Sequence, residues 1–117
     1  MAEVIVANAV AKRLDGIQGR SGISGREVAQ LLSTTPETVS RWRTGRTSPH
    51  PGSLERLLKL DWLVDQLSSI YEPDEARLWL FSRHVELDGR SPAELIAADR
   101  MDEVLAVIDR LQSGAYA

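Results

Sequence analysis

The sequence predicts an all-α fold, and three observations carry that expectation. Apolar residues recur at spacings of three and four through most of the chain, the period of one helix face. Helix-start signals recur as well: Ser24 with Glu27, Thr35 before Pro36, and Ser91 before Pro92 with Glu94. No alternating apolar–polar run and no internal repeat competes with this reading. The 117 residues suit one domain, or two small ones sharing a core, and 43% hydrophobic with 26% charged content is ordinary for a globular protein.

The elements follow in order. Val6, Val10, Leu14 and Ile17 give residues 3–18 an amphipathic helix, which Gly19, Ser21 and Gly22 break. Residues 24–46 form two short helices around a tight turn, and residues 45–53, with two prolines and two glycines, form a loop. Ser53 is expected to cap a longer helix, with Glu55 in its first turn. Leu54, Leu57, Leu58, Trp62, Leu63, Leu67 and Ile70 make that helix the spine joining the two halves. Pro73 restarts the chain as the helix PDEARLWLFSR, its acidic residues near the positive end of the dipole and Leu78, Trp79 and Phe81 available for packing. A turn at Asp88-Gly89 precedes a capping box at Ser91, Pro92 and Glu94 and a short helix to about Ala98. Asp99 is expected to cap the last helix, whose apolar face is Met101, Val104, Leu105, Ile108 and Leu111, with Gly114 as its stop. The domains expected are 1–60 and 61–117.

Residues 24–46 have the layout of a DNA-reading helix-turn-helix. Val28, Ala29, Leu31 and Leu32 supply the apolar face of the first helix. Small Ala29 suits close helix crossing, and Val39, ten residues on, suits the buried anchor of the second helix. Val39 and Trp42 point inward, and Gly45 suits a left-handed cap. The turn position that usually carries glycine is Ser33, which must then take a less comfortable backbone. The second helix of such a motif enters the major groove. Arg41, on its outer face, is the candidate for a base contact, because an arginine fork matches guanine O6 and N7. Thr35, Glu37 and Thr38 near the helix N-terminus are further base or phosphate candidates, and Arg43, Arg46 and Thr47 are phosphate candidates. An ordinary helical hairpin with solvated arginines is the plainer alternative.

The net charge of −3 hides an uneven distribution. Residues 20–60 hold seven Lys/Arg against three Asp/Glu, whereas residues 61–117 hold five against twelve. The basic segment suits phosphate; the acidic one suits either a basic partner or a solvated face. With no cysteine, disulfide and thiolate chemistry are excluded, which fits a reducing cytoplasm. No apolar run approaches the ~18 residues of a membrane span, and MAEVIVANAV lacks the basic start of a signal peptide. His50 and His84 are too isolated for a metal site, and Glu72, Asp74 and Glu75 are explained by a helix N-terminus. No metal, cofactor or catalytic activity is expected.

The C-terminal half resembles the toxin-binding domain of the Xre/MbcA/ParS antitoxin family. Trp79, the Leu87-Asp88-Gly89 turn, Ser91-Pro92, Leu95, the final amphipathic helix and the Gly114-Ala115-Tyr116 ending carry the likeness by their order and spacing. The first half resembles the Xre-like helix-turn-helix that precedes this domain, so the resemblance covers nearly all of the chain after residue 20. It implies an antitoxin paired with a RES-domain toxin that depletes NAD. The C-terminal end would lie at the toxin's NAD pocket, and the helix-turn-helix on the operon's own promoter. It also implies a homodimer and a larger assembly with toxin. Trp79, Arg83, Ser91, Pro92, Gly114, Ala115, Tyr116 and Ala117 are the toxin-contact residues it points to. Tyr116 offers a flat ring and a phenol to a narrow cleft, against the plain alternative of a frayed end.

Two other functions compete. A stand-alone dimeric helix-turn-helix repressor would use its second half only to dimerise. A toxin partner without DNA binding would fit the Ser33 departure and the acidic balance. The first helix either helps a dimer or completes the core. Trp42 belongs to the core by spacing; Trp62 and Trp79 are expected there too, or at a partner interface.

Overall fold

The computed structural model describes the backbone of residues 2–114 and the side chains from residue 8 onward. Val6, on the expected apolar face of the first helix, and the Ala115, Tyr116 and Ala117 tail lie outside those described side chains. Among the described residues the chain folds as seven α-helices: α1 (Ala2–Ser21), α2 (Gly25–Leu31), α3 (Pro36–Thr44), α4 (Pro51–Ser68), α5 (Pro73–Phe81), α6 (Pro92–Ala97) and α7 (Met101–Gln112). A single 3-10 turn (Val85–Leu87) sits between α5 and α6, and an isolated antiparallel bridge joins His84 to Arg90.

α1 continues past Gly19, whose exposed position costs a helix only ~1 kcal/mol. Ser21 stays helical because its hydroxyl donates back to the Ile17 carbonyl in a buried setting. The break falls at Gly22, at φ 68°, where a Cβ would stand 3.5 Å from the Pro73 carbonyl oxygen. Val10, Leu14 and Ile17 are buried against α4, α3 and α5.

α4 departs from expectation at its start and along one face. It starts at Pro51, with His50 as its cap: the imidazole Nδ1 accepts from the Ser53 N–H at 3.4 Å, so Ser53 is not the cap. Its buried face is Leu57, Leu60, Asp61, Leu63, Val64 and Leu67. Leu58, Trp62 and Ile70 are instead 40–48% exposed. The cause is tertiary: α1, α5 and α7 all pack on one broad side of α4 and leave the Leu58–Trp62 stripe uncovered. Asp61 enters the core edge because two guanidinium groups of α1 meet it, Arg13 Nη1 and Arg20 Nη2, each at 2.5 Å.

Glu72 and Glu75 form the capping box that starts α5. Trp79 is buried, but Leu78, expected to pack, is 68% exposed on the opposite side of this short helix. Asp88 and Gly89 both take positive φ, giving the expected turn. Ser91 caps α6 by accepting from the Glu94 N–H at 3.1 Å, without the return bond of a full capping box. Asp99 does not cap α7: it occupies a left-handed position at φ 61°, and Arg100 takes the cap position. α7 buries Met101, Val104, Val107 and Ile108, with Leu105 and Leu111 half-buried beside them. One apolar cluster runs from Val10 to Ile108 through both halves. The expected boundary at residue 60 falls inside α4.

Candidate nucleic-acid and partner surfaces

Local signals build the helix-turn-helix. Ser24 Oγ accepts from the Glu27 N–H at 3.1 Å, and Glu27 returns the bond to the Ser24 N–H at 2.9 Å. Thr35 Oγ1 accepts from the Thr38 N–H at 3.1 Å, Pro36 fills the first turn, and Gly45 ends α3 at φ 79°. Val28, Ala29, Leu31, Val39 and Trp42 are buried, which fixes α3 with Glu37, Arg41 and Thr44 outward.

The arginines of this region divide into two groups. Arg41 and Arg46 are exposed, and their guanidinium groups make no ion pair or hydrogen bond with another described residue. Thr47 is exposed beside them. Arg43 is turned back to Asp15 and Gln18 of α1, where it anchors α3 rather than standing on the outer face. Thr35 and Thr38 share a hydroxyl–hydroxyl bond of 2.9 Å at the start of α3. Two residues missed by sequence reasoning join this surface. Arg26 and Gln30, both exposed and one helical turn apart on α2, line a shallow cleft with Thr34, Pro36 and Glu37. Their i, i+4 spacing on the polar face of the first helix was the available signal.

Ser33 does take the left-handed backbone, at φ 54°. Its hydroxyl donates to the Ala97 carbonyl, 2.7 Å away at the end of α6. Arg56 of α4 lies beneath the same turn and donates to the Leu31, Leu32 and Ile96 carbonyls. A second link between the halves is Arg77 of α5, which pairs with Glu27. Burial would raise the Glu27 carboxyl, but the bond from the Ser24 backbone N–H and the adjacent Arg77 guanidinium outweigh it. They hold Glu27 below the ordinary carboxylate value.

The described members of the expected partner set in the second half differ in exposure. Trp79 is buried, its ring 4.9 Å from that of His84, whose Nε2 lies 2.9 Å from the Trp79 carbonyl oxygen. Ser91 and Pro92 are buried at the start of α6, where Ser91 caps the helix. Arg83 is exposed, and Gly114 is half-buried at φ 65° after α7. A groove of about 520 Å³, lined by Tyr71, Trp79, His84, Val107, Arg110 and Leu111 among others, opens where α5, the 3-10 turn and α7 meet. Val85, next to it in sequence, is 89% exposed. No group of three His, Asp or Glu among the described residues could hold a metal ion, and no described helix is long and apolar enough to cross a membrane.

Residues 66–114 match the model of the antitoxin Xre/MbcA/ParS C-terminal toxin-binding domain, and residues 9–60 match that of a helix-turn-helix domain. The chain is 31% identical over 109 residues to the mycobacterial cidal antitoxin MbcA of Mycobacterium tuberculosis, covering 93% of this chain and 96% of that protein. MbcA of Mycobacterium bovis matches equally. A probable mycobacterial cidal antitoxin of M. tuberculosis is 33% identical over 81% of each chain. Among solved structures, the M. tuberculosis MbcT–MbcA toxin–antitoxin complex matches with a TM-score of 0.78 at 31% identity, covering 92% of this chain and 96% of that one.

Proposed function

The chain belongs to the Xre/MbcA/ParS antitoxin family, and from that premise we propose that it neutralises a cognate RES-type, NAD-degrading toxin. In this reading its C-terminal region obstructs the toxin's NAD pocket, and its helix-turn-helix binds the promoter of its own operon. It acts by binding, in the cytoplasm, without catalysis. The observation that carries the reading is the end-to-end likeness to MbcA, with both halves in the same order. The exposed Arg26, Arg41 and Arg46, whose guanidinium groups pair with no described residue, support the promoter contact, since phosphate recognition needs available cations. Thr35, Glu37, Thr38 and Thr47 remain part of the proposed DNA face. Arg83 and the segment from Gly114 to Ala117 remain the proposed toxin contacts.

A homodimer completes the reading. The Leu58–Trp62 stripe of α4 is its proposed face. On one side lie Arg13 and Arg20 of α1, which meet α4 at Asp61 and Asp65. On the other lie Asp102 and Gln112 of α7, which meet α4 at Lys59, Gln66 and Ser69. A two-fold axis along α4 sets the α1 flank of one copy on the α7 flank of the other.

The test is purification of the tagged chain from its native host, with mass spectrometry of what co-elutes. A stoichiometric RES-domain protein, released only by denaturant, is expected. An eluate of this chain with DNA alone would replace the antitoxin reading with a stand-alone repressor. Deleting residues 114–117 tests the pocket-blocking mechanism, because full protection by the shortened chain in a toxicity assay contradicts it.

A further inference from the structure

The helix-turn-helix turn is held by the other half of the molecule. α2 ends at Leu31 and α6 ends at Ala97, and the two C-termini approach one another beside Ser33. Each helix end carries unsatisfied carbonyls and a partial negative charge, so two such ends brought together repel unless a donor lies between them. Arg56 is that donor. Its Nη2 donates to the Ile96 carbonyl at 2.9 Å and to the Leu31 carbonyl at 3.4 Å, and its Nη1 donates to the Leu32 carbonyl at 3.3 Å. Its Nε lies 3.7 Å from Asp99 Oδ1, and Nη2 lies 3.5 Å from Ser33 Oγ. A planar fork with several fixed N–H groups can serve both helix ends at once, which a single ammonium cannot. The Arg56 side chain is only 23% exposed, so it is spent on these partners rather than offered to solvent.

The turn so held leads directly into Thr35 and Pro36, the start of α3. We propose that Arg56 is a positioning residue for the recognition helix. By tying the end of α2 to the end of α6 it sets the angle at which α3 leaves the turn, without touching DNA. The C-terminal half thereby becomes part of the DNA-reading unit. Ser33 is the second member of the device. A left-handed serine costs more backbone strain than glycine, but its hydroxyl supplies a tether to Ala97 that glycine lacks. This proposal rests on the promoter-binding part of the function above.

The experiment uses the full-length chain with a labelled DNA fragment from immediately upstream of its own gene, and a scrambled fragment of equal length as control. Binding by wild type, Arg56→Lys, Arg56→Ala and Ser33→Ala is followed by fluorescence anisotropy over a salt series, with circular dichroism to verify folding. A phosphate contact and a positioning residue separate cleanly. Lysine preserves the charge, and loss of one phosphate contact reduces the salt slope by ~0.9. The expected result is that Arg56→Lys and Arg56→Ala both weaken binding by about tenfold, ~1.4 kcal/mol, with the slope unchanged. Ser33→Ala is expected to weaken it by a smaller factor. Wild-type affinity in Arg56→Lys overturns the proposal, and so does a reduced slope in Arg56→Ala. Should Arg56→Ala fail to fold, Arg56→Lys and Ser33→Ala decide the question alone. A wild type that does not distinguish the upstream fragment from the scrambled one is a different failure: it removes the promoter reading itself and the proposal with it.

Discussion

Replacing Ser33 by glycine and by alanine separates the two forces that act on the turn. At φ 54° a residue with a Cβ carries a left-handed penalty of ~1–2 kcal/mol. Glycine removes that penalty, although its freer unfolded chain takes back ~0.5–1 kcal/mol. Both substitutions lose the 2.7 Å bond to the Ala97 carbonyl, a net ~0.5–1.5 kcal/mol for a hydrogen bond of this kind. For Ser33→Gly the gain and the loss nearly cancel, and stability should stay within about 1 kcal/mol of wild type. Ser33→Ala keeps the strain and loses the bond, so it should be less stable than wild type by ~0.5–1.5 kcal/mol. It should also be less stable than Ser33→Gly by ~0.5–1 kcal/mol, a melting difference of roughly 2–4 °C at this size. Urea denaturation with a shared m-value measures both differences. Equal stability of the alanine and glycine variants would refute the strain argument. An alanine variant as stable as wild type would refute the tether.

Three further outcomes are expected. Arg41→Ala should cost ~1–3 kcal/mol of operator binding and relax specificity at one base pair, so an unchanged band-shift titration removes Arg41 from the DNA face. Glu27 is held below its ordinary value, so its contribution to stability is present above the unfolded carboxylate value of 4.5 and fades as pH falls through the lowered folded value. Urea midpoints of wild type and Glu27→Gln should therefore differ at neutral pH and converge in acid; a constant gap across that range contradicts the assignment. Trp62, at 48% exposure, should tolerate Trp62→Ser within ~1 kcal/mol, while sedimentation velocity shifts from dimer to monomer. A large loss of stability without change in association would return Trp62 to the core.

The helix-turn-helix was legible in the sequence because its signals are local. Ser24 with Glu27, Thr35 with Pro36, and Gly45 each act within a few residues, and the structure uses all of them. The Ser33 departure was legible too, but its compensation was not, since Ala97 lies 64 residues away. α4 shows the limit of periodicity. Leu54, Leu58 and Trp62 recur as regularly as Leu57, Leu60, Val64 and Leu67, and only the placement of α1, α5 and α7 leaves Leu58 and Trp62 uncovered. Arg43 reads as a surface cation until Asp15 of α1 is placed opposite it. Asp99 has the chemistry of a cap, but the left-handed turn that ends α6 takes that residue first. On the partner side, sequence order pointed to Ser91 and Pro92, whereas their small size and capping role sent them inward.

The joint between α1 and α4 distributes tolerance to substitution unevenly. Asp61 holds two arginines from one helix, so either Arg13 or Arg20 can drift to another residue while the carboxylate keeps a partner. Asp61 has no such reserve. Its loss leaves two cations facing one another beside the core, and Asp65, which reaches only Arg20, cannot replace it. Descendants of this chain are therefore free to vary at either arginine in turn, and are held at the single acid between them.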